Sequence, residues 1–419
     1  MLARILPRPL SGTIAAIPSK SHVHRLLLAA AVADGPTLIR CAASSDDLAA
    51  TARCIAALGA RAQRTAAGYL VTPGTQPAQD ALVDCGESGT TFRLLLPMVA
   101  ALGNGAQFQL AGRLPQRPLA PLDAVLQSHG CTLSDPGCNP FACAGKLQSG
   151  TYTLAGNVSS QFISGLLFAL PLVCGDSRLR LTGPVSSASY IQMTLRVLKQ
   201  FGVTVRTCAD GYDIPGGQQF HSPRTITAEG DWSNAAFWLC AGALSGPVTV
   251  TGLEADSVQG DRACVEVLRR FGAQVSVSGG AVSVSSGPLQ AVDLDVDAIP
   301  DLAPVLALVA AAAQGRSRLF NAGRLRYKES DRLASTAALL NALGGQAHEE
   351  ADALVLTGQP RLSGGTCSAA GDHRIAMTAA VAASICSGPV HIQGAQAVDK
   401  SYPGFFDDFN ALGGSAALE

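Results

Sequence analysis

Hydrophobic and polar positions along this 419-residue chain follow two alternating periods, and the alternation repeats six times. Short runs with period two, as in Gly12–Ile17, predict half-buried strands, whereas apolar stretches with a period near 3.6, as in Leu26–Ala33, predict helices. One series of predicted helices ends in glycine, the residue favoured just beyond a helix C-terminus. These glycines, spaced 69 to 72 residues apart, are Gly59, Gly130, Gly202, Gly272, Gly344 and Gly413. The narrow range of spacings predicts six copies of one structural unit.

Each copy is predicted to place a strand between two helices. The first helices begin near Lys20, Ser88, Ser160, Ser233, Asp301 and His373. The strands between the helices are predicted at Thr37–Cys41, Gln107–Gly112, Arg178–Gly183, Val248–Gly252, Arg318–Gly323 and Val390–Gly394. Two further short strands are expected after each second helix, as in Tyr69–Thr72 and Ala81–Asp84. The predicted unit is therefore β-α-β-α-β-β, which belongs to the α/β class.

The length of the chain predicts two domains, because a single hydrophobic core rarely grows beyond about 250–300 residues. Three units per domain divide the six copies evenly, with a junction near residue 228. We expect residues 18–227 to form an inserted domain. Residues 1–17 and 228–419 are expected to form a discontinuous domain, in which Gly12–Ile17 pairs with the C-terminal half. The active site is expected in the cleft between the domains, because equivalent positions of packed repeats share a face.

Composition narrows the possible functions. The net charge of −1 and the absence of a basic-aromatic stripe argue against nucleic acid and against a membrane surface as partners. The segment Met1–Pro9 does not resemble a signal peptide, and the longest apolar runs are shorter than a membrane span, so we expect a cytoplasmic protein. We also expect a monomer. Cys131, Cys138 and Cys143 lie near His129 but lack the paired spacing of a zinc site, which predicts free thiols and no metal.

Charged and hydroxyl residues concentrate at the starts of the predicted helices. A helix N-terminus presents unpaired N–H groups and the positive end of its dipole, which favours anions. Seven cations lie at these positions, namely Lys20, Arg25, Arg117, Lys328, Arg332, Arg374 and Lys400. Without acidic residues to balance them, such cations would repel one another. We therefore expect small ligands that carry several negative charges.

Simpler interpretations of the same residues stay open at this point. Pro18–Arg25 is also what a capped helix with solvated basic residues would contain. Lys328–Arg332 has the spacing of a salt-bridged helix start, and Asp301 by itself is an N-cap residue. P-loop, dinucleotide-binding and serine-nucleophile motifs do not occur, so nucleotide, nicotinamide and serine-hydrolase functions have little support.

Six motifs lie in register with the predicted repeats. They are Pro18–Ser21 with Arg25, Gly86–Arg93, Gln116–Leu119, Ser159–Phe162, Lys328–Leu333 and Asp372–Met377. In this order they resemble the 5-enolpyruvylshikimate-3-phosphate synthase family, also called 3-phosphoshikimate 1-carboxyvinyltransferases. The resemblance implies an inside-out α/β barrel of two domains with three repeats each. It implies that the 5-hydroxyl of shikimate 3-phosphate attacks C2 of phosphoenolpyruvate while C3 is protonated. Loss of phosphate then gives an enolpyruvyl ether on the route to chorismate and the aromatic amino acids, without any cofactor.

The resemblance also implies roles for individual residues. The implied contacts of shikimate 3-phosphate are Lys20, Ser21, Arg25, Ser159, Ser160, Gln161, Ser187, Asp301 and Lys328. The implied contacts of phosphoenolpyruvate are Lys20, Gly89, Arg117, Gln161, Arg332, Arg374 and Lys400. Asp301 resembles the base that takes the 5-hydroxyl proton, and Glu329 resembles the group that exchanges the proton at C3, with Lys20 assisting. Glu87 and Arg324 replace asparagines found in relatives and stay outside these sets. Glycine rather than alanine at position 89 implies inhibition by glyphosate.

Two other functions compete with this hypothesis. The sister enolpyruvyl transferase that acts on UDP-N-acetylglucosamine carries Lys-Asn where this chain has Lys20-Ser21. It commonly has a cysteine in the loop before its Arg-Pro, whereas Gly112–Pro118 contains none. A repeat protein that binds anions without turnover is the other alternative, and the presence of Asp301 and Glu329 together with Lys20 argues against it.

Overall fold

The structure is a computed structural model that describes residues 1–74 and 78–419. The chain forms two compact units. The terminal unit contains Met1–Ser19 and Glu229–Glu419, and the inserted unit contains Lys20–Ala228. Each unit has its own hydrophobic core.

Strands and helices alternate along the described residues. The helices are α1 (Lys20–Ala31), α2 (Asp46–Ala57), α3 (Gly89–Leu102), α4 (Leu122–Ser128), α5 (Ser160–Ala169), α6 (Ala188–Gln200), α7 (Trp232–Leu244), α8 (Cys264–Phe271), α9 (Ala303–Ala312), α10 (Arg332–Ala342), α11 (His373–Ala382) and α12 (Phe405–Ala411). The strands are β1 (Leu2–Ile5), β2 (Gly12–Ala15), β3 (Thr37–Arg40), β4 (Arg61–Thr65), β5 (Gly68–Thr72), β6 (Ala81–Gly86), β7 (Ala106–Leu110), β8 (Cys131–Leu133), β9 (Phe141–Gly145), β10 (Thr151–Ala155), β11 (Ser177–Thr182), β12 (Arg206–Cys208), β13 (Gly211–Ile214), β14 (Thr225–Thr227), β15 (Val248–Thr251), β16 (Gln274–Ser278), β17 (Ala281–Ser285), β18 (Leu294–Asp295), β19 (Arg316–Phe320), β20 (Gln346–Glu349), β21 (Ala353–Thr357), β22 (Gly365–Ser368), β23 (Val390–Gln393) and β24 (Ala416–Leu418).

The described strands form six four-stranded sheets of one topology. In the inserted unit the orders are β14-β3-β5-β4, β6-β7-β9-β8 and β10-β11-β13-β12. In the terminal unit they are β2-β15-β17-β16, β18-β19-β21-β20 and β22-β23-β1-β24. The first two strands of every sheet are parallel, and the other pairs are antiparallel. A helix joins the two parallel strands directly in four sheets, those that begin with β6, β10, β18 and β22. The predicted α/β class and six-fold β-α-β-α-β-β repeat are confirmed.

Three sheets contain a strand from a distant part of the chain, and one of these strands is β1, which pairs with β23. β2 pairs in parallel with β15, with Thr13 opposite Thr249, as the sequence predicted for Gly12–Ile17. β14 completes the sheet of β3 in the same way, with Ile226 opposite Ile39. The inserted unit therefore lies, along the chain, between two strands of the same terminal-unit sheet, β2 and β15.

The strand prediction after α2 was wrong in detail. The hairpin there consists of β4 and β5, whereas β6, predicted as its second strand, opens the next repeat. β4 was missed because its sequence, Arg61–Thr65, is polar and mostly exposed at a sheet edge, so apolar alternation is absent. β1 was missed because only four residues, preceding two prolines, carry its pattern.

Nearly every residue of the first helices of the repeats is buried. In the terminal unit α7, α9 and α11 pack against one another, and in the inserted unit α3 packs along α5. Gly165 permits the close approach of α5 to α3, because a Cβ there would lie 2.6 Å from the Arg93 carbonyl oxygen. Helices surrounded by other elements are apolar on all sides, which explains the long apolar runs. No helix in the described part of the chain has both the length and the hydropathy that crossing a membrane requires.

The six repeat glycines end the second helices as predicted. Their φ angles lie between +76° and +105°, in the left-handed region that closes a helix C-terminus. At Gly272 this residue is the C-cap of α8, and its N–H donates to carbonyl oxygens of the last turn.

Candidate active site

In the inserted unit, α1 begins with a cation held by a carboxylate. Lys20 is the first residue of α1, and its Nζ lies 2.8 Å from Oδ2 of Asp47 in the first turn of α2. Both side chains are about one-eighth exposed, so the pair is only partly screened by water. Ser21 follows in the same helical turn and is partly buried. The pair fixes the lysine ammonium at the N-terminus of α1.

Arg25, one turn further along α1, is a buried cation surrounded by neutral groups. Its Nε donates to Thr194 Oγ1 at 2.8 Å, and its terminal nitrogens donate to the carbonyl oxygens of Ser21 at 2.7 Å and Tyr190 at 3.1 Å. Burial lowers the pKa of Arg25 to about 10, so it remains charged at neutral pH. Among the described residues it forms no salt bridge. A buried arginine of this kind is stabilised by an anionic ligand.

The N-termini of α3 and α5 hold the Gln161 amide in one orientation. The Gln161 Oε1 accepts a hydrogen bond of 3.0 Å from Arg93, and its Nε2 donates to Thr90 Oγ1 at 2.9 Å. Gly89 opens α3 beside Arg117, because a Cβ built on Gly89 would lie 2.5 Å from a terminal nitrogen of that arginine. The structure therefore brings Gly89, Arg117 and Gln161 together at adjoining helix starts.

Three predicted serines lie at helix starts of the same unit. Ser159 is the N-cap of α5 and accepts from the Gln161 N–H, and Ser160 follows it and is buried. Ser187 is the N-cap residue of α6, with φ of +52°. A left-handed conformation is uncommon for a residue other than glycine and is enriched at functional sites.

Sequence reasoning missed a buried chain of polar groups beneath these helix starts. His24 Nδ1 lies 2.7 Å from Thr51 Oγ1, which lies 2.6 Å from Thr91 Oγ1. Thr91 in turn donates to Ser88, the N-cap of α3. Burial, aided by Lys20 and Arg25, keeps the pKa of His24 well below its usual value, so the ring is neutral. Thr51 and Thr91 were missed because the sequence does not distinguish a threonine in such a chain from any other threonine in the core.

In the terminal unit, one buried guanidinium holds three carboxylates. Arg332 opens α10 and donates from Nε to Asp372 at 2.9 Å, from NH1 to Asp301 at 2.8 Å and from NH2 to Glu329 at 2.6 Å. A second bond of 3.3 Å joins NH2 to Asp372. Burial opposes the charge of Arg332, but Asp372, Glu329 and Asp301 together raise its pKa. Asp301 and Glu329, the two carboxylates predicted to transfer protons, are therefore both bound to the side chain of Arg332.

Lys328 and Lys400 lie close to the same helix starts. The Lys328 Nζ is 3.8 Å from Asp301 Oδ1. The Lys400 Nζ donates to the Gly371 carbonyl oxygen at 2.6 Å, just before α11. Both side chains remain partly exposed and can reach a ligand.

Arg374 has a buried donor nitrogen that is unsatisfied within the described residues. It is buried in the first turn of α11, and its NH1 donates to the Ser233 carbonyl oxygen at 3.1 Å. Its Nε has no hydrogen-bond partner in the described part of the chain. A buried donor without a partner is costly, so this group indicates a place for a ligand oxygen.

The expectation that the cations lack acidic balance was wrong. Lys20 is paired with Asp47, and Lys328 and Arg332 share Asp301. The sequence missed this because the partners lie 27 to 31 positions away along the chain.

The simpler interpretations of Asp301 and Lys328 were also wrong. The N-cap of α9 is Leu302, without a side-chain cap, since Asp301 bonds to Arg332 instead. Lys328 does not belong to a helix, because α10 begins only at Arg332, capped by Asp331. The predicted pairing of Glu329 with Arg332 is confirmed.

The two residues that depart from the family pattern have partners of their own. Glu87 packs against Gly112, where a Cβ would collide with its carboxylate. Arg324 is bound to Asp297 through hydrogen bonds of 2.7 and 3.1 Å to Oδ1.

Asp372 was not among the predicted site residues, although it stands directly before His373-Arg374 in a recognised motif. Within the described residues no group of three or more histidine, cysteine, aspartate or glutamate side chains could hold a metal ion.

Comparison with solved structures first defines the class of fold. An EPSP synthase from Acinetobacter baumannii matches with a TM-score of 0.81 and 25% identity, and the match covers 100% of both chains. The enolpyruvyl transferase NikO from Streptomyces tendae matches with a TM-score of 0.81 and 20% identity over 99% of this chain and 98% of that one. The two-unit architecture is therefore that of the enolpyruvyl transferases.

Sequence comparison then gives the family. The model of the family described as EPSP synthase (3-phosphoshikimate 1-carboxyvinyltransferase) matches residues 6–409. A 3-phosphoshikimate 1-carboxyvinyltransferase of Clostridium kluyveri is 38% identical over 416 residues, which is 98% of this chain and 97% of the relative. One of Methanocorpusculum labreanum is 38% identical over 408 residues, 96% of each chain. The chain belongs to the EPSP synthase family.

Proposed function

We propose that this protein transfers the enolpyruvyl group of phosphoenolpyruvate to the 5-hydroxyl of shikimate 3-phosphate and releases phosphate. The observation that carries the proposal is the family match across residues 6–409, together with relatives of the same activity along almost the whole chain. The reaction serves the shikimate pathway to chorismate and the aromatic amino acids. The protein is thus an enzyme, a transferase of the carboxyvinyl group.

The inserted unit supplies most of the proposed site for shikimate 3-phosphate. Arg25, which is buried and has no carboxylate partner among the described residues, suits the phosphate dianion because a charged donor binds an anion strongly. The proposed further contacts in this unit are Lys20, Ser21, Ser159, Ser160, Gln161 and Ser187. From the terminal unit, Asp301 and Lys328 are proposed to contact the same substrate.

Phosphoenolpyruvate is proposed to bind cations of both units. In the inserted unit these are Lys20 and Arg117, with Gly89 and Gln161 beside Arg117. In the terminal unit they are Arg332, Arg374 and Lys400. The unsatisfied Nε of Arg374 supports this role, because a ligand oxygen would complete its hydrogen bonding. We therefore propose that both units contribute residues to one active site and that two multiply charged anions are brought together there by fixed cations.

The carboxylates on Arg332 are proposed to move the protons of the reaction. Asp301 takes the proton of the attacking 5-hydroxyl, and Glu329 delivers the proton to C3 and later removes one, with Lys20 assisting. The ion pairs with Arg332, at 2.8 and 2.6 Å, fix the positions of both carboxylates. Four of the five N–H donors of Arg332 are already used within the cluster, so Arg332 orients these carboxylates as well as facing phosphoenolpyruvate.

We propose that the protein acts in the cytoplasm as a monomer, on small molecules rather than on nucleic acid or membranes. All twelve cysteines lie in the described residues and are free thiols, which supports a reducing compartment. Among the described residues, exposed large hydrophobic side chains are few and scattered, which supports a monomer.

The test compares two acceptors. The protein is incubated with phosphoenolpyruvate and either shikimate 3-phosphate or UDP-N-acetylglucosamine, and released phosphate is measured. We expect release with shikimate 3-phosphate alone. Release only with the nucleotide sugar would assign the sister activity, and binding without release from either acceptor would assign a non-catalytic anion-binding protein.

A further inference from the structure

A buried carboxyl group that the proposed reaction does not use lies beside Arg374. Asp261 belongs to the short 3-10 turn Gly260–Ala263 that precedes α8, and it is 2% exposed. Its hydrogen bond is to the Ser233 hydroxyl. Within the described residues it forms no salt bridge. Buried carboxylates are usually paired with a cation or bound by several N–H groups, so this environment is unfavourable for an ionised group.

Ser233 joins Asp261 to Arg374. Its hydroxyl donates to the Asp261 carboxylate, while its carbonyl oxygen accepts the bond of 3.1 Å from Arg374 NH1. One residue, in the first turn of α7, therefore touches both charged groups. The charges of Asp261 and Arg374 act on each other in a buried region, where water screens them little.

Other charged groups face Asp261 from each neighbouring helix start. Asp231, the N-cap of α7, and Asp301, which precedes α9, are acidic, and Arg374 of α11 is basic. Arg262, in the same turn, is exposed and donates to the Ala255 carbonyl oxygen. Burial and Asp301 raise the pKa of Asp261, Arg374 and the Ser233 hydroxyl oppose the rise, and the result is about 7.

We propose that Asp261 is a positioning residue that takes up one proton when the anionic phosphoenolpyruvate binds Arg374. This inference rests on the proposed function. An anion on Arg374 cancels the positive charge that keeps Asp261 ionised, and a second buried negative charge would repel the ligand. A proton from solvent converts the carboxylate to a carboxyl group, whose O–H then donates to Ser233 Oγ. Arg374 keeps its bond to the Ser233 carbonyl oxygen and turns its remaining donors to the ligand.

The proposal gives a definite pH dependence. Because a proton binds together with the anion, the dissociation constant of phosphoenolpyruvate rises with pH, by up to about tenfold per unit above roughly pH 7. The substitution Asp261→Asn copies the protonated carboxyl group in shape and keeps a partner for Ser233. In that variant the added pH dependence disappears, and binding stays at the strength that the wild type shows at low pH.

The experiment is isothermal titration calorimetry of phosphoenolpyruvate, in the presence of shikimate 3-phosphate and with Glu329→Gln as background to stop turnover. Titration in buffers of different ionisation enthalpy gives the number of protons taken up. Between about pH 6.5 and 8.5 we expect proton uptake to be larger, by up to one proton, with Asp261 present than with Asp261→Asn. The ionisation of phosphoenolpyruvate itself is common to both proteins and cancels in the comparison.

Asp407→Asn is the matched control, because Asp407 is an exposed carboxylate in the first turn of α12. It is expected to take up as many protons as the background protein. Equal uptake in the background protein and Asp261→Asn, with both folded by circular dichroism, would overturn the inference and leave the enzyme assignment intact. If wild-type protein binds no phosphoenolpyruvate and releases no phosphate, the proposed function fails and this inference fails with it.

Discussion

Replacing Gly89 with alanine is predicted to weaken phosphoenolpyruvate binding by displacing one arginine. The added Cβ would lie 2.5 Å from a terminal nitrogen of Arg117 and 3.1 Å from its Cζ. Ordinary van der Waals contact begins near 3.4 Å, so the nearest nitrogen must retreat by 3.4 − 2.5, or about 0.9 Å. The backbone at Gly89 is helical, so alanine causes no strain there.

The energetic consequence follows from the strength of a charge-assisted hydrogen bond. Such a bond is worth about 1.5–3 kcal/mol, and a displacement of this size loses a large part of it, about 1–2 kcal/mol. That loss raises KM for phosphoenolpyruvate roughly 5- to 30-fold. KM for shikimate 3-phosphate and the Tm are expected to stay unchanged. Glyphosate, which is expected to compete with phosphoenolpyruvate, should lose affinity as well.

Steady-state kinetics at saturating shikimate 3-phosphate measure this effect. Gly404→Ala is the control, because Gly404 lies at the start of α12 with no atom within 4 Å of its added Cβ. An unchanged KM in Gly89→Ala, or an equal increase in Gly404→Ala, would refute the assignment of Arg117 to phosphoenolpyruvate.

Three further substitutions test other parts of the site. Glu329→Gln is expected to bind both substrates but to lose about 10²- to 10⁴-fold in turnover, and near-normal kcat would remove Glu329 from the chemistry. Arg25→Met is expected to raise KM for shikimate 3-phosphate about 10- to 100-fold with little change for phosphoenolpyruvate, whereas equal changes in both KM values would contradict its role at the phosphate. Thr51→Val leaves the buried His24 and Thr91 groups short of a partner and is expected to lower the free energy of unfolding by about 1–3 kcal/mol, measured with urea. Thr249→Val, at a partly exposed strand pair, is the control for it, and a loss of equal size there would show that the buried chain adds no stability.

Much of the fold was predictable because its signals are local and repeated. The C-terminal glycine of each second helix must adopt a left-handed conformation, so Gly59 and its five equivalents mark the repeats directly. The strands between the helices carry apolar alternation, and their predicted ends lie within three residues of the observed ones. Edge strand β4 was missed because an exposed strand needs no apolar pattern, and β1 was missed because only four residues carry its pattern.

The sequence named the residues of the candidate site, but of their pairings it predicted only that of Glu329 with Arg332. Family motifs pointed to Asp301, Glu329 and Arg332, but no local pattern shows that one guanidinium holds the two carboxylates together with Asp372. Burial decides such contacts, and burial follows from packing between distant helices rather than from sequence neighbours. For the same reason Asp301 looked like a helix cap, although its side chain bonds to another element.

The most direct test of the central claim is the stoichiometry of products, measured by mass spectrometry and a phosphate assay in the same reaction. Purified protein is mixed with phosphoenolpyruvate and shikimate 3-phosphate. We predict one enolpyruvyl ether of shikimate 3-phosphate for every phosphate released. Phosphate that appears together with pyruvate while shikimate 3-phosphate stays unchanged, or no phosphate at all, would contradict the account.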